Sequence, residues 1–135
     1  MVQAIKDELR MDNVIITKDF LWDLLSICDL LVAHTSTVGL EAMLFGKPVV
    51  VFHSVDISPI IPYSNTSSVV EAYNVRELVS AIRNVLYDEE TIAQLSNATK
   101  QFICDYVGVQ DAKSHQRVAN LIEQMISDNP KLDSF

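Results

Sequence analysis

Residues Asp29 to Phe52, DLLVAHTSTVGLEAMLFGKPVVVF, decide the fold of this 135-residue chain. The segment contains an apolar run, a polar turn, a helical stretch and a second apolar run in immediate succession. Both apolar runs, residues 30–33 and 49–52, lack alternation, which is typical of strands buried on both faces of a parallel sheet. The segment therefore predicts one βαβ unit.

The helix of this unit is bounded by residues that suit its two ends. Ser36 or Thr37 can cap the first backbone N–H groups of a helix that runs to about Phe45. Gly46 can adopt the positive φ that follows many helices, and Pro48 lacks the N–H that a continuing helix would need. The next strand therefore starts at Pro48.

Two residues of the helix are poorly explained by folding alone. Gly39 falls in the first turn, where glycine costs up to about 1 kcal/mol relative to alanine. Close approach of a ligand or of another backbone would explain it, and so would relief of crowding against a neighbouring strand. Glu41 has the wrong spacing from Ser36 and Thr37 for a capping box, so its carboxylate either complements the helix dipole or binds a ligand.

Hydroxyl side chains cluster where the first strand ends and the helix begins. A helix N-terminus beyond the carboxyl end of a parallel strand is suited to bind an anion, and phosphate is the natural one. A carboxylate one turn further along, here Glu41, can accept hydrogen bonds from a ribose diol. The implied ligand is a nucleotide. His34 is either a hydrogen-bond donor to the same anion or a plain turn residue.

The motif S-T-x-G-L-E-A followed by G-K-P resembles the nucleotide-binding segment in the C-terminal half of GT-B glycosyltransferases, and capsule-polysaccharide transferases in particular. Non-hydrolysing UDP-N-acetylglucosamine 2-epimerases share the architecture, but their usual D-S-G-G turn is absent here. The spacing E-x4-G-x-P recurs in that superfamily, and Glu41, Gly46 and Pro48 match it. The resemblance covers roughly residues 12 to 126.

The resemblance also implies a role for each residue of the motif. Glu41 would hold the ribose hydroxyls, and Ser36 and Thr37, with the adjoining backbone amides, would hold the diphosphate. The loop after the strand predicted at residues 14–16 would lie beside the base. The expected nucleotide-binding residues are His34, Thr35, Ser36, Thr37, Gly39 and Glu41, and the expected base-flanking residues are Thr17, Lys18 and Phe20. Without a ligand, Lys18 would be a solvated turn residue and Phe20 a core aromatic. No metal site and no cofactor is predicted.

The remaining elements complete one α/β domain. Helices are predicted at residues 2–10, 20–28, 74–87, 91–106 and from 111 or 114 to 128, with a short edge strand at 69–70. Asn74 is expected to cap the third helix, and Asp88 or Glu89 to open the fourth. Apolar residues at helical spacing predict one buried face on the third helix, at Val75, Leu78, Val79, Ile82, Val85 and Leu86, and an apolar stripe on the last, at Val118, Leu121, Ile122, Met125 and Ile126. We expect a single Rossmann-like, three-layer α/β/α domain over residues 1–128, with a parallel sheet of three or four strands and C-terminal helices. Residues 129–135 are expected to form a disordered tail.

A sixteen-residue stretch, residues 53–68, separates the second strand of the unit from the edge strand. It contains two prolines and many small polar residues, and loops of this length in a compact domain are usually functional or mobile. Its apolar residues either form a contact surface or cover the domain's own core. They are Ile57, Ile60, Ile61 and Tyr63.

Charge and cysteine content exclude several classes of partner and site. A formal net charge of −8, with ten scattered basic residues, argues against a nucleic-acid partner. Cys28 and Cys104 lack metal-ligand spacing, so buried thiols are expected rather than a disulfide or a zinc site. No apolar run reaches the length of a membrane span. The expected location is the cytoplasm, with a peripheral position at the inner membrane face as an alternative.

A complete GT-B enzyme resembles two Rossmann-like halves facing a cleft, and this chain has the size of one half. The resemblance therefore implies a nucleotide-sugar-binding domain of a glycosyltransferase in cell-surface polysaccharide or glycoconjugate biosynthesis. The domain would be inactive alone, as a fragment of a longer enzyme or one subunit of a split enzyme whose other half supplies the acceptor site. The alternatives are the C-terminal part of an epimerase and a non-catalytic α/β interaction domain.

Overall fold

The structure is a computed structural model, and it describes residues 2–8, 10–34, 36–53, 63 and 66–128. Its elements are, in chain order, α1 (Val2–Glu8), α2 (Leu21–Ile27), β1 (Leu31–Ala33), α3 (Val38–Leu44), β2 (Val49–Phe52), β3 (Val70–Ala72), α4 (Val75–Tyr87), α5 (Glu89–Tyr106) and α6 (Ser114–Ser127). Thr35, most of the predicted 53–68 loop and the predicted tail lie outside the described residues.

Within the described residues, the sheet has three parallel strands in the order β1-β2-β3. Val50 of β2 lies opposite Val32 of β1 and Val70 of β3, so the middle strand is paired along both of its edges. The predicted βαβ unit is therefore confirmed as β1, α3 and β2. The predicted edge strand is confirmed too, although it begins at Val70 and extends to Ala72.

The side chains of β2 alternate between two hydrophobic cores, because successive residues of a strand point to opposite faces. Val49 and Val51 belong to the core that α2, α3 and the C-terminal part of α5 cover. Val50 belongs to the core that α4 and the N-terminal part of α5 cover. All three valines are buried. This two-sided burial confirms the expected α/β/α layers.

Two of the helices begin at polar caps, as the sequence predicts. The Asn74 side chain accepts the Glu77 N–H at 3.0 Å, and the Glu77 carboxylate accepts the Tyr73 N–H at 2.8 Å, which is the reciprocal arrangement of a capping box. The Asp88 carboxylate accepts the Thr91 N–H at 2.9 Å at the start of α5. Hydrogen bonds from the Thr91 hydroxyl and N–H lower the pKa of Asp88.

The strand predicted at residues 14–16 is wrong. The Val14 N–H bonds back to the Met11 carbonyl at 3.3 Å in a local turn, and Ile15 is 85% exposed. A strand needs a neighbour that accepts its backbone hydrogen bonds, and an apolar triplet cannot specify one. The interpretation of Phe20 as a core aromatic is also wrong, since Phe20 is 84% exposed.

Some predicted apolar faces exist but are not buried. The stripe of α6 is exposed along its whole length, at Val118, Leu121, Ile122, Met125 and Ile126. Val75 and Val79 of α4 are exposed as well. Cys28 is half-buried and Cys104 is exposed, so the expectation of a buried thiol is wrong for Cys104. Among the described residues, no helix is long and apolar enough to cross a membrane.

Replacement of Val51 by alanine should destabilise the domain, whereas replacement of Ile15 by serine should not. Val51 is 1% exposed in the middle strand, so its truncation leaves a cavity and should lower the free energy of unfolding by about 2 kcal/mol. Ile15 is a surface residue, and its replacement should change that free energy by less than about 0.5 kcal/mol. Urea denaturation measures both. A large loss for Ile15→Ser would show that residues 14–16 do pack against the domain.

Candidate functional site

The carboxyl ends of the three strands bring polar residues to one edge of the sheet. His34, Ser36 and Thr37 follow β1, His53 follows β2, and Tyr73 follows β3. In open parallel sheets, ligands bind in the crevice outside this edge. The predicted site residues His34, Ser36, Thr37, Gly39 and Glu41 thus belong to one turn and the first part of α3, while Thr35 lies outside the described residues.

The turn before α3 satisfies its own first backbone amides. The sequence allows either Ser36 or Thr37 to cap the helix. In the structure it is the Ser36 hydroxyl that accepts a helix N–H, that of Val38, at 3.2 Å. The Gly39 N–H bonds to the Ser36 carbonyl at 3.3 Å, and the Leu40 N–H bonds to the Thr37 carbonyl at 3.0 Å. An anion would have to compete for these amides, so side chains must supply more of its binding than the sequence indicates.

Glu41 is half-buried and is held by a partner that the sequence does not indicate. The indole Nε1 of Trp22 donates a hydrogen bond to Glu41 Oε2 at 2.7 Å. Trp22 belongs to the first turn of α2 and is 66% exposed. The carboxylate is therefore not unpartnered, but it is fixed in position where α3 leaves the polar turn.

Gly39 has a structural explanation in Tyr63. A Cβ built on Gly39 would lie 2.7 Å from the Tyr63 hydroxyl oxygen, closer than real side chains approach, and 3.1 Å from ring atom Cζ, which is tighter than most real contacts. That hydroxyl donates a hydrogen bond to the Ser36 carbonyl at 3.3 Å. Burial raises the pKa of the Tyr63 phenol. The side chain that crowds Gly39 therefore comes from the protein itself.

Tyr63 is buried at 2% exposure, which supports the core-covering interpretation for this residue of the 53–68 stretch. Its ring packs against Phe102 of α5, with the ring centroids 5.7 Å apart. The Tyr63 carbonyl accepts the Thr66 hydroxyl at 2.7 Å, and Thr66 shares a hydrogen bond with buried Ser68. The Ser68 carbonyl accepts the Thr99 hydroxyl at 3.2 Å. This chain of contacts ties the polar turn to α5.

A second polar cluster lies at the ends of β2 and β3. His53 Nε2 lies 2.9 Å from Glu71 Oε1, and the His53 ring stacks on the Tyr73 ring with centroids 4.6 Å apart. The His34 ring is 6.1 Å from the His53 ring. The negative charge of Glu71 raises the pKa of the Tyr73 phenol. Of these four residues, the sequence analysis selected only His34.

The residues expected to flank the base form their own local arrangement. The Thr17 hydroxyl donates to the Asp19 carboxylate and accepts the Asp19 N–H at 3.1 Å. Lys18 and Phe20 are exposed. No hydrogen bond or ring contact between described residues joins them to Glu41 or Ser36, and their contact with a base stays a prediction.

A separate cavity of about 240 Å³ lies away from this edge. Its lining includes Pro48 before β2, Val85 near the end of α4, and Leu95 and Ile103 of α5. Pro48 precedes β2, so the cavity belongs to the amino-end side of the sheet. It therefore contains none of the predicted site residues.

The fold and this edge together define an open parallel α/β domain of the Rossmann-like class. The family model described as Glycosyl transferases group 1 matches residues 5–102, which is more than half of the chain. The chain belongs to that family. No curated protein and no solved structure matches it.

Replacement of Gly39 by alanine should destabilise the protein through Tyr63. Alanine favours a helix by about 1 kcal/mol over glycine, but the clash with the phenol should outweigh this and lower the free energy of unfolding by about 1–3 kcal/mol. In a Tyr63→Leu background the clash partner is gone, so Gly39→Ala should be neutral or stabilising there. Urea denaturation of the two single variants and the double variant measures this coupling. An equal cost in both backgrounds would show that Tyr63 is not the reason for glycine.

Proposed function

We propose that this chain is the nucleotide-sugar donor-binding domain of a glycosyltransferase that works without a metal ion. Membership of the glycosyl transferase group 1 family supports the reaction class. The observation that carries the donor site is the position of Glu41, half-buried one turn beyond the polar turn and held there by Trp22. The proposed context is the biosynthesis of a cell-surface polysaccharide or glycoconjugate.

In this proposal, Glu41 accepts hydrogen bonds from the ribose hydroxyls. A carboxylate has two acceptor oxygens with several lone pairs, and the Trp22 indole uses one position on Oε2. The hydrogen bond also restricts the side chain before the ligand arrives, so less conformational entropy is lost on binding. Trp22 is thus a positioning residue for Glu41.

The hydroxyl groups of the turn would contact the phosphate groups. The Thr37 side chain makes no cap hydrogen bond to the helix, which leaves its hydroxyl available on the exposed side of the turn. As the bond from the sugar to the departing phosphate breaks, negative charge develops on that phosphate, and fixed hydrogen-bond donors stabilise it. Ser36, Thr37 and His34 are the described side chains proposed for this task, with Thr35 as a further predicted contact.

The acceptor site and the catalytic base are proposed to come from a second Rossmann-like half or from a partner subunit. This chain would then bind donor nucleotide without turning it over. An epimerase would use the same donor site, but the family match supports transfer. Incubation of this chain together with that half or subunit, with donor alone, distinguishes the two, since an epimerase would change the sugar and a transferase would leave it unchanged.

Replacement of Glu41 by alanine should weaken binding of the matching nucleotide by about 10- to 100-fold. The reason is that hydrogen bonds to a charged group contribute about 1.5–3 kcal/mol each. Calorimetric titration with UDP, CDP, CMP and GDP measures the affinity. Trp22 is the single tryptophan of the chain, so its emission should also respond when wild type binds.

Glu123→Ala is the matched control, because Glu123 is an exposed acidic residue of α6, and its replacement should leave the affinity unchanged. The free energy of unfolding of Glu41→Ala should fall by no more than about 1.5 kcal/mol, the value of one hydrogen bond. Unfolding of Glu41→Ala would mean that Glu41 is structural, and undiminished nucleotide binding would overturn its proposed role.

A further inference from the structure

The pair of His53 and Glu71 lies at the carboxyl edge of the sheet and has no role in the site described so far. His53 directly follows the middle strand, and its side chain is 15% exposed, while that of Glu71 is 22% exposed. Nε2 and Oε1 are 2.9 Å apart. Stacking on Tyr73 and the nearby His34 ring fix the plane and the surroundings of the imidazole.

This pair is not needed to join the ends of β2 and β3. The backbone N–H of His53 already donates to the Ala72 carbonyl at 2.8 Å, which extends the ladder beyond the last paired residues. An imidazole and a carboxylate lose hydration when they are partly buried, so a pair of this kind contributes little to stability by itself. The position of the pair at the carboxyl edge therefore fits a role in ligand binding.

The hydrogen bond to Glu71 determines which nitrogen of the His53 ring carries a proton. A carboxylate oxygen only accepts, so Nε2 carries a proton. Nδ1 has no hydrogen-bond partner among the described residues. In the neutral ring Nδ1 is an acceptor, and it can donate to an anion only after it takes a second proton. Glu71 compensates the charge that this proton brings.

The backbone amides of the turn and two of the lysines are not ready donors for an anion at this edge. The backbone amides of Val38, Gly39 and Leu40 are bonded within the turn. Lys47 donates to the Ser26 carbonyl at 3.1 Å and, with Lys100, lines the cavity on the amino-end side. The two imidazoles at the strand ends lie on the carboxyl edge, with ring centroids 6.1 Å apart, and each can become cationic.

We propose that His53, held by Glu71, is an anion-binding residue for the diphosphate of a nucleoside diphosphate donor, and that its ring takes up a proton when the anion binds. This inference rests on the proposed function. The groups that face the ring are Glu71 and Tyr73 at β3 and His34 at the end of β1, with Glu77 next to Tyr73. Anion binding should therefore be accompanied by net uptake of a proton by the protein.

The first test is NMR of the full chain labelled with 15N at histidine. The chain has three histidines, so three imidazole spin systems report separately. Addition of inorganic pyrophosphate at pH 7.5 should move the His53 Nδ1 signal from the unprotonated towards the protonated range. The ring signals of His115, exposed on α6, should not move. A His53 ring that does not respond, or a chain that does not bind pyrophosphate, overturns the proposal.

The second test is calorimetry of wild type, His53→Gln and His115→Gln with pyrophosphate and with UDP, in two buffers of different ionisation enthalpy. His53→Gln should bind both ligands about tenfold more weakly and should take up fewer protons than wild type. His115→Gln should behave as wild type. Equal affinity and equal proton uptake in His53→Gln would mean that the pair is structural only. The wild-type NMR test stands even if His53→Gln fails to fold.

These tests separate the failure of this inference from the failure of the proposed function. If nucleotide binding depends on Glu41 but the His53 ring signals do not change, only the role of His53 is wrong. If the His53 ring responds to pyrophosphate but no nucleotide binds more tightly than pyrophosphate, and Glu41→Ala has no effect, the donor-site proposal is wrong. An anion site at His53 would then remain.

Discussion

The middle strand of the sheet must be enclosed on all four sides, and the rest of the domain follows from that constraint. β2 is hydrogen-bonded to β1 and β3 along its edges, and its valines enter a different core on each face. Because these strands are parallel, their carboxyl ends lie at one edge, and α3 connects β1 to β2 across a face of the sheet. The polar turn, Glu41 and the His53 pair are neighbours for this reason.

Much of this fold is readable from the sequence where the local signals agree. The segment from Asp29 to Phe52 combines unalternating strands, a hydroxyl cap and the Gly46 to Pro48 stop, and the structure has the βαβ unit there. Asn74 and Asp88 also predict the starts of α4 and α5, because a cap acts within one turn and depends only on local sequence. Residues 14–16 and the α6 stripe are misread because burial and strand pairing depend on distant partners, which no local pattern contains.

The residues of the candidate site likewise fall into two groups, those that local sequence signals predict and those that depend on distant partners. Glu41 and the polar turn stand out in the sequence because they break local expectations for a helix start. Trp22, Tyr63 and His53 do not, because their partners lie far along the chain: Trp22 is 19 residues from Glu41, and His53 is 18 residues from Glu71. The one usable signal was the apolar character of the 53–68 stretch, which contains Tyr63. Sequence reasoning therefore finds where a ligand is expected and misses the side chains that hold the site in shape.

The contact between Gly39 and Tyr63 also constrains how the two positions can evolve in the family. Two positions that share one small space cannot change independently, since a side chain at the first requires a smaller one at the second. Relatives that keep a large aromatic residue at the position of Tyr63 should keep glycine in the helix, and relatives that lose the aromatic should be released to accept alanine or serine. Across the family, substitutions at the two positions would then be correlated. One position lies in the motif and the other in the 53–68 stretch, and neither segment considered alone reveals the link.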